Sequence, residues 1–142
     1  MIVVDTNLLI YAYNSGSTHH AKARRWLEHT LSGSESVGLP WQSTAAFVRI
    51  MTDVRLPAEH LTALAAVEVV NGWLDQAIVR LLTPGEDHWS LFRQMVLDGQ
   101  AAGNLVSDAQ IAALTIEYGG VLYTTDRDFA RFPGLRWRNP LE

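Results

Sequence analysis

Two short apolar runs, each ending in an aspartate, constrain the fold of this chain more than any other feature. The first residues read MIVVD and end at Asp5, and a later run, VLYTTD, ends at Asp126. A short, continuous apolar run is typical of a strand that is buried on both faces of a parallel sheet. Each carboxylate would then lie at the carboxyl end of its strand, where binding sites form in open parallel sheets.

Helical patterns alternate with these runs and with three further strand candidates. The other strands are SVGLP, AIVRLLTP and LRWRN, and the intervening helices include THHAKARRWLEHTL, STAAFVRIMTDV, LTALAAVEVVNGWL and GEDHWSLFRQMVLDGQ. We expect Thr18 to cap the first of these helices and the segment RLPAEH to end the second. This alternation predicts an α/β fold in which helices cover both faces of a parallel sheet of four or five strands. By its length the chain, residues 1–142, is expected to form a single domain.

The composition excludes several classes of protein. Hydrophobic residues make up 48% and charged residues 18% of the chain, which is typical of a folded protein. There is no cysteine, which excludes a disulfide framework, a thiolate nucleophile and a cysteine metal site. No apolar run approaches the roughly 18 residues that a membrane span needs. The first residues lack the basic start of a signal peptide, so we expect a cytoplasmic protein.

A third carboxylate, Asp108, opens the apolar helix SDAQIAALTIEY. Ser107 and Gln110 resemble a capping box, in which Ser107 would cap the helix and leave Asp108 free. The helix leads directly into the strand that ends at Asp126, so it should begin at the edge of the sheet where the strands end. Neighbouring strands lie about 4.8 Å apart. If the strands of Asp5 and Asp126 are neighbours, all three carboxylates meet at that edge.

Clustered carboxylates indicate a cation. They repel one another and lose solvation when partly buried, so a fold keeps such a cluster mostly when a cation compensates for it. A ligand set made only of oxygen favours Mg²⁺ or Mn²⁺ over zinc. Magnesium held in this way typically acts on phosphates, so the sequence predicts metal-assisted hydrolysis of a phosphodiester by water.

Each carboxylate also has a simpler explanation when it is considered alone. Asp5 could be a turn residue that accepts a hydrogen bond from the residues after it, and Asp126 could cap the segment RDFARF. Asp108 could be a first-turn carboxylate that the helix dipole stabilises. The three together are a more specific signal than any one of them.

Three segments resemble PIN-domain ribonucleases and, more closely, the VapC toxins of bacterial toxin–antitoxin pairs. They are VVDTNLLIYAYN, VSDAQIAAL and LYTTDRDFARFPGL, in this order and spacing. The resemblance implies a PIN-like sheet sandwiched by helices and an endoribonuclease that depends on Mg²⁺, for which Mn²⁺ can substitute. It implies tRNA or ribosomal RNA as substrate. It also implies a cognate antitoxin that occludes the active site, and often a homodimer.

The same resemblance assigns roles to individual residues. Asp5, Asp108 and Asp126 match the metal ligands of the family. Thr6 and Asn7 match its DTN signature after the first strand. The full catalytic set that the resemblance implies is Asp5, Asn7, Asp108, Thr125, Asp126 and Asp128.

One element of the family pattern is absent. Most members carry a glutamate in the helix after the second strand, and here Ala46 takes its place, followed by Phe47, Val48 and Arg49. Glu86 or Asp87 could compensate. The absence leaves two alternatives open: an inactive PIN-type module that binds RNA or a protein, and another metal-dependent phosphoesterase such as a DNA nuclease. A phosphatase with an aspartyl nucleophile is disfavoured, because it would carry D-x-D where this chain has DTN.

Overall fold

A five-stranded parallel sheet organises the chain, as the sequence predicts. The computed structural model describes residues 1–56 and 60–142, so part of the break expected at RLPAEH lies outside the described residues. The strands are β1 (Ile2–Val4), β2 (Val37–Pro40), β3 (Val79–Leu82), β4 (Val121–Tyr123) and β5 (Trp137–Arg138). Their order in the sheet is β3-β2-β1-β4-β5, and all neighbouring pairs are parallel.

Six helices in the described part of the chain cover the two faces of this sheet. They are α1 (Thr6–Tyr13), α2 (His20–Leu31), α3 (Trp41–Met51), α4 (Ala63–Leu74), α5 (His88–Asp98) and α6 (Leu105–Glu117). A 3-10 turn, Arg127–Arg131, follows β4. Within the described residues, no helix is long and apolar enough to cross a membrane.

The central strand β1 separates two hydrophobic cores. Ile2 and Val4 point into a core shared with α1 to α4, and Val3 points into the opposite core, shared with α5 and α6. Val3 and Val4 are both fully buried. Burial on both faces explains why the run IVV lacks the alternation of a strand with one exposed face.

The pairing of β1 with β4 brings two of the predicted site residues together. Val4 lies opposite Tyr123, and the backbone N–H of Asp5 donates to the carbonyl oxygen of Tyr123 at 3.0 Å. Asp5 and Asp126 therefore follow adjacent strands at the same edge of the sheet.

The structure corrects two predicted side-chain caps. Helix α6 begins at Leu105 rather than Ser107, because the N–H of Leu105 donates to Ala102 and that of Val106 to Gly103, so a backbone turn replaces a side-chain cap. The predicted capping box is therefore wrong, and Ser107 lies inside the first turn.

Helix α2 also begins later than the sequence suggested. It starts at His20, and Thr18 does not cap it. The hydroxyl of Ser17 instead accepts from the N–H of His19, and the N–H of His20 donates to the carbonyl of Ser17. A turn closed by Ser17 thus leads the chain into the helix.

Candidate active site

Asp5 lies between the end of β1 and the start of α1, with both carboxylate oxygens hydrogen-bonded. Its Oδ1 accepts from the N–H of Thr6 at 2.8 Å and caps the helix, and its Oδ2 accepts from the hydroxyl of Thr124 at 2.8 Å. The side chain is almost fully buried. Burial raises the pKa of Asp5 to about 6, the two hydrogen bonds oppose this rise, and the negative charge of Asp126 adds to it.

Thr124 connects the carboxylates that follow the two central strands. Its hydroxyl oxygen donates to Asp5 and accepts from the backbone N–H of Asp126 at 3.0 Å. Asp126 in turn accepts from the N–H of Asp128 at 2.9 Å and caps the 3-10 turn. The simpler explanations considered for Asp5 and Asp126 are therefore also correct: both cap local turns, and each still lines the cavity described below.

Asp108 lies in the first turn of α6, half-buried beside the other two carboxylates. Burial raises its pKa to about 6, and the negative charges of Asp5, Asp126 and Asp128 raise it further, whereas Arg131 lowers it. Each of these acidic side chains makes ionisation of Asp108 more costly. Asp5, Asp126 and Asp128 act on Asp108 because they lie near it in space, although they are distant from it in the sequence.

A cavity of about 480 Å³ lies at this edge of the sheet, and all three predicted ligands line it. Asn7 and Ser107 belong to the same wall. The opposite wall is one face of α3, which contributes Trp41, Gln42, Ala45, Ala46, Arg49 and Ile50. We name this space the carboxylate cavity.

Ala46 lines the carboxylate cavity, so the absent glutamate leaves a gap in the wall that faces the acidic residues. Glu86 and Asp87 do not fill that gap. Both are exposed just before α5, and neither lines the cavity. The compensation considered from the sequence is therefore not found.

The remaining predicted residues occupy different places. Asn7 lines both the carboxylate cavity and a neighbouring cavity, and Thr125 lines only the neighbouring one. Asp128 is exposed and contributes through its charge and its backbone N–H. The hydroxyl that contacts Asp5 belongs to Thr124, which sequence reasoning missed. The parallel register was the available signal, since Val4 lies opposite Tyr123 and the residues that follow them are therefore adjacent.

Helix α3 supplies further residues that the sequence did not identify. The amide Nε2 of Gln42 is buried and has no hydrogen-bond partner among the described residues, and Gln42 lines the carboxylate cavity. Ser43 accepts from the hydroxyl of Thr6 at 3.0 Å, which ties α3 to the start of α1. The sequence pattern placed Gln42 and Ser43 only at the start of a helix.

The donor set fits a magnesium-type cation that is only partly enclosed by protein. In residues 1–56 and 60–142, no three acidic or histidine side chains form a group that could hold a metal by themselves. Magnesium usually binds through one or two carboxylates and keeps water or substrate phosphate as its other ligands. Asp5, Asp108 and Asp126 offer only oxygen atoms, and burial together with nearby negative charge raises the pKa of Asp5 and of Asp108.

Comparisons with known proteins identify relatives that match almost the whole chain. The sequence profile of the PIN domain matches residues 2–135. Ribonuclease VapC37 of Mycobacterium tuberculosis is 39% identical over 140 residues, which cover 99% of this chain and 97% of that protein. Ribonuclease VapC43 of the same species is 39% identical over 142 residues, covering 100% of this chain and 97% of the relative.

Solved structures share the fold at lower identity. VapBC2 from Rickettsia felis, bound to a DNA fragment from its promoter, superposes with a TM-score of 0.73 at 17% identity, covering 98% of both chains. VapC20 of Mycobacterium tuberculosis, described as a toxin that cleaves the sarcin-ricin loop, has a TM-score of 0.68 at 21% identity. That match covers 96% of this chain and 99% of VapC20.

Proposed function

Because this chain belongs to the PIN-domain family and, within it, to the VapC ribonucleases, we propose that it is an endoribonuclease with its active site in the carboxylate cavity. One observation carries the proposal. Asp5, Asp108 and Asp126 come from three distant parts of the chain and line one open cavity. The raised pKa values of Asp5 and Asp108 match a site that gains stability when a cation and a phosphate enter together.

We propose Mg²⁺ as the cofactor, with Mn²⁺ as a substitute, and Asp5, Asp108 and Asp126 as the residues that hold it. The bound ion would polarise the phosphoryl oxygens and stabilise the leaving oxygen. The vacancy at Ala46 leaves room for substrate phosphate on the side of α3.

The side chains of the cavity have separate tasks in this proposal. Thr124 and the N–H of Thr6 hold the carboxylate of Asp5 in one orientation. Gln42 lines the cavity on the side of α3, where the substrate phosphate would lie. Asn7 and Asp126 lie where the carboxylate cavity meets the neighbouring one.

Cleavage of labelled RNA by the chelated protein, with single metals added back, tests the proposal. We expect no cleavage in excess chelator, recovery with Mg²⁺ or Mn²⁺, and no recovery with Zn²⁺ alone. Substrates should include tRNA, ribosomal RNA and single-stranded DNA. Cleavage of the DNA alone would identify a DNA nuclease, and undiminished cleavage of RNA in chelator would exclude the metal.

We further propose that the protein is the toxin of a toxin–antitoxin pair and forms a homodimer. VapBC complexes share its fold, and its relatives of 39% identity are named VapC ribonucleases. Expression from a tightly controlled promoter should arrest growth, and Asp126→Ala should abolish the arrest. If neither the wild type nor Asp126→Ala arrests growth when no antitoxin is present, the toxin role is rejected. Light scattering on the purified protein tests the dimer.

A second candidate function follows from the gap at Ala46. A PIN module that lacks one acidic residue of the family pattern could bind RNA or a protein partner without cutting RNA. The metal add-back experiment separates the two functions. RNA that is bound but remains intact at every metal concentration would favour the binding module.

A further inference from the structure

A second cavity, of about 440 Å³, adjoins the carboxylate cavity. The two share Asn7 and Asp126, so they meet beside the proposed metal ligands. The second cavity has no α3 residue among its lining residues, and its wall includes Tyr11, His19 and Lys22. We name it the lysine cavity. The shared residues join the two cavities into one depression, with Asp126 where they meet.

We propose that this depression is the path of a single RNA strand, with the lysine cavity and the α3 wall binding the nucleotides on opposite sides of the cleaved bond. The inference rests on the proposed ribonuclease function and adds to it a substrate path with named contacts. Each cavity falls within the size range of sites for drug-sized ligands, about 300–1,000 Å³. That is the scale of one or two nucleotides, not of a duplex.

The cation in the lysine cavity is Lys22, the only lysine in the chain. Its side chain is exposed, and it forms no ion pair within residues 1–56 and 60–142. Arg24 of the same helix instead pairs with Glu28 at 3.0 Å. An exposed cation without a partner is suited to a phosphate, and phosphate contacts provide most of the affinity for nucleic acid.

Two aromatic rings, tilted against each other by 39°, line the same cavity as Lys22. The rings of Tyr11 and His19 are 4.8 Å apart between centroids, and both residues line the lysine cavity. The carbonyl oxygen of Tyr11 contacts Nδ1 of His20 at 2.8 Å, which fixes the start of α2 against α1. A preformed aromatic surface next to a cation is a typical contact for an unpaired nucleotide.

The α3 wall offers the same two kinds of contact on the other side of the carboxylates. Trp41 is 56% exposed although it is a large aromatic residue, and it lines the carboxylate cavity. Arg49 lies two helical turns further along the same face of α3, and Ala45 lies between them. The small alanine leaves the ring of Trp41 accessible for stacking on a base, and Arg49 accessible to a phosphate.

Negative charge in the lysine cavity does not oppose this path strongly. Glu142 lines the cavity, but its Oε1 lies 3.3 Å from Nη2 of Arg127, an exposed pair. The remaining carboxylate is Asp126, which belongs to the proposed metal site.

The salt dependence of RNA binding tests the two cationic contacts. The probe is a short, fluorescein-labelled single-stranded RNA of mixed sequence, and its anisotropy is measured in excess chelator so that no cleavage occurs. For single strands each phosphate contact contributes about 0.7 to the slope of log K against log salt. We expect Lys22→Gln and Arg49→Gln each to lower that slope by about 0.7.

Arg24→Gln is the matched control, because it removes one positive charge from α2 at a position outside both cavities. We expect it to leave the slope unchanged. If Arg24→Gln lowers the slope as much as Lys22→Gln does, the slope depends on the overall charge of the protein and not on the position of Lys22. That result would overturn the proposal. An unchanged slope in Lys22→Gln would also overturn it, including the case in which Lys22 serves a protein partner instead.

Trimmed substrates test whether the strand crosses the carboxylates. Trp41→Ala should weaken binding about 30-fold, the middle of the range for loss of one stacked base, and Trp41→Phe should restore most of it. An RNA without the nucleotides that occupy the lysine cavity should bind wild type and Lys22→Gln equally. An RNA without the nucleotides that occupy the α3 wall should bind wild type and Trp41→Ala equally. Loss of both effects on the same trimming would contradict a path between the two walls.

Cleavage and binding measurements distinguish the ribonuclease function from the strand path. If the wild-type protein with Mg²⁺ cuts no RNA, the proposed ribonuclease function is wrong. If the wild type cuts RNA and Lys22→Gln binds and cuts like Arg24→Gln, only the strand path is wrong.

Discussion

At the scale of single residues, Asp5 is a buried carboxylate whose ionisation carries an electrostatic cost. It is 4% exposed, and its pKa is raised to about 6 although both oxygens accept hydrogen bonds. A raised pKa in the folded state means that the native protein binds a proton at pH values where the unfolded chain has lost it. Stability of the metal-free protein therefore falls as the pH rises from about 4 to about 6.

Asp5→Asn should remove this pH dependence, because asparagine does not titrate. We expect the metal-free variant to be more stable than the wild type at pH 7.5, by an amount on the order of 2 kcal/mol, with the difference vanishing near pH 4. The pKa of Asp108 is raised as well, so Asp108 adds to the pH dependence of stability in the same direction. The charged groups that act on it are Asp5, Asp126, Asp128 and Arg131. Urea unfolding of both proteins across this range measures the difference. A constant difference at all pH values would refute the assignment to Asp5.

Thr124 and Thr125 form a natural pair for comparison, since they are adjacent and only Thr124 contacts Asp5. Thr124→Val removes a buried donor to Asp5 and an acceptor for the N–H of Asp126. We expect it to destabilise the protein by about 1–3 kcal/mol and to raise the pKa of Asp5 further. Thr125→Val should change stability little, and denaturant unfolding of both variants makes the comparison. Greater destabilisation by Thr125→Val would mean that the wrong hydroxyl has been assigned.

At the scale of secondary-structure elements, α3 determines how completely the site encloses a cation. Ala46→Glu would add a carboxylate to the wall that faces Asp5 and Asp108. A charge beside a divalent ion contributes about a kcal/mol or more at an effective dielectric near 20, so we expect roughly tenfold tighter binding of Mn²⁺. Without metal the same glutamate should lower the melting temperature, because it adds a like charge to an acidic site.

Ala63→Glu provides the control for this variant. Ala63 is exposed at the start of α4 and lines neither cavity described above, so its replacement should leave Mn²⁺ affinity unchanged. Calorimetric titration of Mn²⁺ into both variants makes the comparison. If Ala46→Glu changes neither the affinity nor the melting temperature, a side chain at that position does not reach the site.

The elements themselves were largely predictable, and their boundaries were not. Short continuous apolar runs located the five strands, and apolar periodicity located helices α2 to α6, because burial imposes both patterns. The starts of α2 and α6 were misplaced because backbone turns at Ser17 and Gly103 provide the hydrogen bonds that a side-chain cap was expected to make. A capping pattern in sequence does not reveal whether the backbone has already satisfied those groups.

At the scale of the whole molecule, the strand order β3-β2-β1-β4-β5 creates the site. Parallel strands present their carboxyl ends at one edge, so the meeting of Asp5, Asp108 and Asp126 could be inferred from sequence. The α3 wall and the lysine cavity could not, because they depend on how helices pack across the sheet. The contact of Thr124 with Asp5 depends on the register between β1 and β4. No local pattern marks Gln42, Trp41 or Lys22 as cavity residues.

The central claim is that Asp5 acts in RNA cleavage rather than only in capping α1. Cleavage by Asp5→Asn, measured with Mg²⁺ beside the wild type and the control Asp98→Asn, tests it most directly. Asparagine retains an oxygen that can cap the helix but loses the charge that holds a cation. We predict that Asp5→Asn stays folded with cleavage abolished, and that Asp98→Asn, at the exposed end of α5, cleaves like the wild type. Wild-type cleavage by a folded Asp5→Asn protein would contradict the account.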